Sequence, residues 1–208
     1  MKVFEITAAA KPPKTRFEYY APLVVTERDR KFLKWDDFHG SPFQRKWKPI
    51  QLYVTMPLLP RPDFYNSGTG AFVCTQKAVE VAGEPLGMCG ELLPVKVEQE
   101  KGKFFIYNVT NCINAVDHRK SKWERLMKGK KLLTNPAFLA DRLGALSVFK
   151  IPEDFGIRIY CLERTGDSED GEFKAVVEHN GLTGLRFEMV WSDEGCGKKR
   201  SVKRASRQ

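Results

Sequence analysis

Residues Gly90–Ile113 read GELLPVKVEQEKGKFFIYNVTNCI, and this stretch decides the fold. Two runs rich in apolar, β-branched and aromatic residues flank the charged turn Gln99–Lys103, the signature of a β-hairpin. Just upstream, in GAFVCTQKAVEVAGEPLGM, Phe72 and Val73 are strand-like. Thr75 is placed to cap a helix over Gln76–Ala82, with Gly83 as its C-terminal glycine. A strand leading into a helix and then a hairpin departs from a regular βαβ period. It predicts an α+β protein with a mixed, mostly antiparallel sheet or sheets and a few short helices.

Other segments agree with that class. MKVFEITA reads as an opening strand with Val3, Phe4 and Ile6 facing a core, IQLYVTM (50–56) as a second strand, and GIRIYCLE as a third. The stretch AKPPKTRFEYYAP (10–22) is expected to be irregular, since Pro12, Pro13 and Pro22 each remove a backbone donor. The segment 115–133 is expected to be loop plus a short amphipathic helix. Phe138, Leu139, Leu143 and Leu146 fit either helical or short-strand spacing. FKAVVEHNG reads as a helix with Gly181 at its end, and TGLRFEMVW as a closing strand alternating Leu185, Phe187, Met189 and Trp191. The expected organisation is an N-terminal α/β lobe over 1–90, a C-terminal α+β lobe over 91–193 and a basic tail over 194–208.

Composition excludes several classes. With 42% hydrophobic and 29% charged residues, the 208-residue chain has a globular balance, and 14 Phe, 6 Tyr and 4 Trp supply bulky core material. The formal charge of +9 is largely a property of the tail. Of 35 Lys and Arg, six lie in GKKRSVKRASRQ, and the remaining 29 face 26 acidic residues. The first residues lack the apolar stretch of a secretory signal, and no window of about 18 apolar residues occurs, so a cytoplasmic protein is expected. Five dispersed cysteines with no Cys-x-x-Cys pair fit reduced thiols.

Catalytic patterns are weak. Gly181 and Gly184 precede a strand and follow a helix, the reverse of a phosphate-binding loop, so a structural turn is expected. His39, His118 and His179 are scattered, with no second ligand at metal spacing. Asp117-His118 and Cys112 would become a catalytic pair or a nucleophile only through tertiary contacts. Glu91, beside Leu92, Leu93, Pro94 and Val95, is expected to be partly buried and paired with an arginine.

The landmarks Glu91-Leu92-Leu93-Pro94, Asn108-Val109-Thr110, Asp117, Phe149 with Pro152, and Gly181-Leu182-x-Gly184-Leu185-x-Phe187 ending at Trp191 run in order over residues 50–193. Together they resemble immunity-protein family 11 of bacterial polymorphic toxin systems, a myxobacterial-type immunity domain formerly of unknown function. The resemblance implies a non-enzymatic cytoplasmic antidote with no cofactor and no metal. Its partner would be a cognate toxin encoded by an adjacent gene and delivered by contact-dependent or type VI secretion. The landmark residues would be structural. For the toxin contact, the acidic segment GDSEDGE offers Asp167, Glu169, Asp170 and Glu172 as phosphate mimics against a basic nuclease cleft. The alternative is a nucleic-acid-binding protein that uses the tail and the aromatic, basic segment 31–48, stacking bases on Trp35, Phe38 or Trp47 beside Lys34 and Arg45. No membrane partner is expected, and a homodimer is left open.

Overall fold

The computed structural model describes residues 1–9, 20–34, 37–43, 46–66, 70–125, 131–164 and 172–193. Trp35, Arg45, the acidic residues Asp167, Glu169 and Asp170, and the basic tail lie outside them. The described residues form three α-helices and twelve strands in mixed and antiparallel sheets, an α+β fold.

One antiparallel sheet orders β10 (Val148–Phe149), β11 (Ile159–Glu163), β1 (Lys2–Ala8) and β12 (Leu185–Ser192). The other orders β2 (Leu23–Val25), β3 (Gln51–Val54), β6 (Gly90–Val97), β7 (Phe104–Val109), β5 (Phe72–Thr75) and β4 (Phe64–Asn66). Its β3–β6 pair is parallel. The central strands carry apolar side chains on both faces, which is why they read as continuous runs. In β11, Ile159 and Cys161 enter a core shared by the two sheets, while Tyr160 and Leu162 point to a second core on the opposite face. In β5 and β7, Phe72, Cys74, Tyr107 and Val109 join the shared core, and Val73, Phe104 and Ile106 join a third beneath β2 and β3.

The hairpin forms as expected, pairing Gly90 with Val109, Leu92 with Tyr107 and Pro94 with Phe105. Its turn uses left-handed backbone at Gln99 and Gly102. Thr75 caps α2, its hydroxyl accepting the Ala78 N–H at 3.2 Å. The helix does not stop at Ala82, however, but runs over Gln76–Cys89, through Gly83 and Pro85. Gly costs about 1 kcal/mol and Pro about 3 in a helix interior. Burial of Ala78, Ala82, Leu86 and Cys89 along one stripe offsets that.

Three further expectations are corrected. Where a short helix was expected, Lys122–Arg125 (β8) and Lys131–Asn135 (β9) are instead strands of a two-stranded ribbon, which docks Trp123 and Leu133 on the second core. The division at residue 90 is not followed by the sheets. β1 lies between β11 and β12, and β6 and β7 lie among strands from before residue 90, so each sheet draws strands from both sides of that division. The alternation of β12 breaks at Val190, where β1 passes directly from Trp191 opposite Val3 to Met189 opposite Phe4. This extra residue sends Trp191 to the second core, where its ring meets Phe138 at 6.0 Å, and leaves Met189 60% exposed.

The remaining helices, α1 (Glu27–Arg30) and α3 (Phe173–His179), are short. No helix among the described residues is long and apolar enough to cross a membrane.

Candidate binding surface

The sequence FKIPEDFGIRIY (149–160) carries β10 through a tight turn into β11. Pro152 opens a 3-10 turn over Pro152–Asp154, its fixed φ suited to that position. Phe155 then adopts left-handed backbone at φ 61°, unusual for an aromatic residue. Gly156 follows at φ 64°, so close to the loop bearing His39 that a Cβ would fall 2.5 Å from the His39 carbonyl oxygen.

Asp154 locks this turn. Its Oδ2 accepts the Tyr160 hydroxyl at 2.9 Å and the Arg158 Nε–H at 3.0 Å. Arg158 also donates to the Leu133 carbonyl at 2.8 Å and lies 3.6 Å from the Glu5 carboxylate. Burial pushes the carboxyls of Glu5 and Asp154 up, with Arg158 opposing in both cases. A cleft of about 240 Å³ opens beside them, lined by Glu5, Thr7, Asn66, Phe72, Ile157 and Arg158. Ile157, which lines it, is 50% exposed, and Phe155, two residues earlier on the same turn, is 62% exposed.

Behind the turn, Lys150 is fully buried. Its ammonium donates to the carbonyls of Phe38 and Gly70, tying two loops to the strand. Desolvation lowers its pKa to about 8. It pairs in a parallel bridge with Cys112, which is exposed at the surface. Packing around that sulfur raises the thiol pKa, with Lys150 opposing, so the setting disfavours the thiolate. The arrangement is suited to recognition: a rigid turn presenting two apolar side chains beside a charged cleft.

The residues singled out from sequence fall elsewhere, most of them inside the scaffold. Glu91 has no arginine partner among the described residues. Its Oε1 accepts the Phe43 backbone N–H at 2.7 Å and the Asn108 amide at 2.8 Å, fastening loop 41–43 to the hairpin. Asp117 accepts the N–H groups of Arg119 and Lys120 and holds its own turn. Those bonds and Lys120 keep its carboxyl below the ordinary range against the opposing effect of burial. The adjacent His118 faces Glu153 at 3.0 Å and stacks on Trp123, so Asp117 and His118 serve different partners. Leu93 enters the third core, Leu92 and Pro94 flank it in β6, and Leu185 and Phe187 pack on the shared core.

Gly181, at φ 60°, ends α3, and Gly184, at φ 101°, abuts β4, so the glycines form a structural turn. Glu172, expected at a toxin contact, is corrected. It is buried and its carboxylate accepts from the backbone N–H of Arg164 at 3.0 Å and from its guanidinium at 3.3 Å. Phe38, offered for base stacking, is also corrected: it is fully buried in the third core. Trp47 donates its indole N–H to the Pro94 carbonyl at 2.8 Å and packs edge-on against Phe43.

Sequence reasoning passed over Glu5, Lys150, Asp154, Phe155, Ile157 and Arg158. The signals available were a lone lysine inside the apolar run SVFKIP and the Pro-acid-acid-Phe-Gly turn just before a strong strand. No family model and no curated protein matches the chain. The resemblance to immunity-protein family 11 therefore rests on the ordered motifs alone.

Proposed function

We propose that this chain is an immunity protein that binds and neutralises a cognate antibacterial toxin in the cytoplasm, by occupation and not by turnover. The observation that carries this reading is Phe155, an exposed aromatic held in left-handed backbone on a turn locked by Asp154, Arg158 and Tyr160. Such backbone costs about 1–2 kcal/mol, and strain of this kind clusters at functional positions. A rigid aromatic anchor loses little entropy when a partner covers it. The motifs shared with the family support the reading in a second way, because Glu91, Asp117, Gly181 and Gly184 maintain the scaffold and leave the surface free to vary with the toxin. Asp167, Glu169 and Asp170 remain proposed as an acidic contribution to the contact.

The partner is the toxin encoded beside this gene. Co-expression with it should restore growth, and Phe155→Ala with Ile157→Ala should weaken the purified complex at least about tenfold. Failure of the wild type to rescue, or an unchanged affinity of the double variant, would sink the toxin reading or the assigned face respectively. The rival reading draws on a small hollow bearing Phe32, Lys46, Trp47 and Lys48. It would be favoured by salt-sensitive oligonucleotide binding that is lost when both lysines are changed.

A further inference from the structure

β12 is an outer strand of its sheet, paired along its length with β1 and with no strand on its other side among the described residues. The Ala9 N–H donates to the Gly184 carbonyl, which sets the phase of the ladder. Residues opposite one another alternate between bonded and non-bonded pairs, so the backbone groups of Leu185, Phe187 and Met189 face away from β1. None of them makes a backbone hydrogen bond to another element among the described residues. An open edge of this length is a template for another strand. Lysine and proline, which commonly blunt such edges, do not occur in LRFEMV, and the bulge at Val190 lies beyond the flat part.

The side chains on this edge are self-complementary. One face carries Arg186 and Glu188, both exposed, with Nε and Oε1 3.2 Å apart. The other carries half-buried Leu185 and Phe187 and the exposed Met189. Leu185 and Phe187 border a groove of about 450 Å³ that Val177, Glu178 and Leu182 complete from the α3 side. We propose that β12 pairs antiparallel with β12 of a second copy of this chain, about a two-fold axis through Phe187. The two sheets then join into one, independently of the toxin reading.

In that register Arg186 faces Glu188 of the second copy, and Glu188 faces its Arg186. Phe187 meets Phe187, and Leu185 meets Met189. Every residue with outward backbone groups meets another of the same kind, for about six backbone hydrogen bonds across the axis. Shifting the axis to Leu185 or Met189 keeps that parity but loses the reciprocal charge pairs, and at Met189 it also meets the bulge. Opposite charges directly across an antiparallel pair are favourable and like charges unfavourable, so the register is marked by charge.

Sedimentation of the full chain over about 1–200 µM tests the proposal, the range expected for a small interface. The wild type should dimerise with rising concentration. Glu188→Arg, which puts like charges opposite each other, should weaken the dimer about tenfold or more. The reversed pair Arg186→Glu with Glu188→Arg should restore it to within about threefold, because the swapped charges still meet. Met189→Pro should abolish the dimer while leaving the circular dichroism unchanged, since the N–H it removes points away from β1. A wild type that stays monomeric throughout overturns the proposal, as does a reversed pair no better than Glu188→Arg. Binding of the toxin at this edge to a monomeric chain overturns it as well.

Discussion

A Cβ placed on Gly184 would lie 2.0 Å from the Phe64 carbonyl oxygen and 2.7 Å from Pro62 Cβ. The contact is clamped by Thr183, whose N–H and hydroxyl both donate to the Asp63 carboxylate at 2.8 Å. The turn after α3 is thereby pressed onto the start of β4. Gly184→Ala should therefore cost about 3 kcal/mol or more in urea unfolding, as the backbone of β4 must shift. Gly181→Ala meets open space and bears only its left-handed backbone, so about 1 kcal/mol is expected. Equal losses for the two would refute the close approach.

Glu91 holds a loop through an acceptor oxygen that the Phe43 N–H and the Asn108 amide share. Glu91→Gln keeps an acceptor and should stay within about 1 kcal/mol of wild type. Glu91→Leu withdraws the acceptor from both the Phe43 N–H and the Asn108 amide and should cost about 2–3 kcal/mol. Chemical denaturation of the two variants separates a hydrogen-bonding role from an electrostatic one.

Lys150 gives the chain a pH-dependent signature. Its pKa in the fold, about 8, is below the unfolded value of about 10.4. Between those values the unfolded chain binds more protons, so the contribution of this group to stability rises with pH across that window. The raised thiols of Cys74 and Cys161 act in the opposite sense but are common to any variant at position 150. The Cys112 thiol interacts with Lys150 and is removed by making the comparison in a Cys112→Ser background. The stability difference between that parent and its Lys150→Met variant should accordingly widen from pH 7.5 to pH 9.5 in paired urea titrations. A constant difference would mean that Lys150 titrates normally.

Phe155 separates stability from recognition. Phe155→Gly relieves a left-handed residue by about 1–2 kcal/mol but adds unfolded-state entropy of about 0.5–1 kcal/mol, so a net change within about 1 kcal/mol is expected. Affinity for the toxin should fall at least about tenfold in the same variant. A large loss of stability would show that the aromatic ring serves the fold instead.

Much of the architecture was legible locally. The charged turn between two apolar runs announced the β6–β7 hairpin, and Thr75 announced the start of α2. What escaped was governed by partners distant in sequence. Gly83 and Pro85 look like a helix end until the stripe from Ala78 to Cys89 finds a core assembled from β1, β5, β7 and β10. Glu91 invites an arginine until Phe43 and Asn108 arrive beside it. The turn at 152–158 was the least visible part, since Phe155 reads as ordinary core material until Asp154, Arg158 and Tyr160 fix the turn that exposes it.

The sequence by itself determined the α+β class, most of the strands and the structural character of the two turn glycines, because hydrophobic period, capping and turn chemistry act within a few residues. The tertiary structure decided the position of β1 between β11 and β12, the phase of β12 after its bulge, the burial of Lys150 and the exposure of Phe155. Each of those depends on which surfaces meet, and burial and hydrogen-bond satisfaction are settled between segments that the chain separates by up to most of its length.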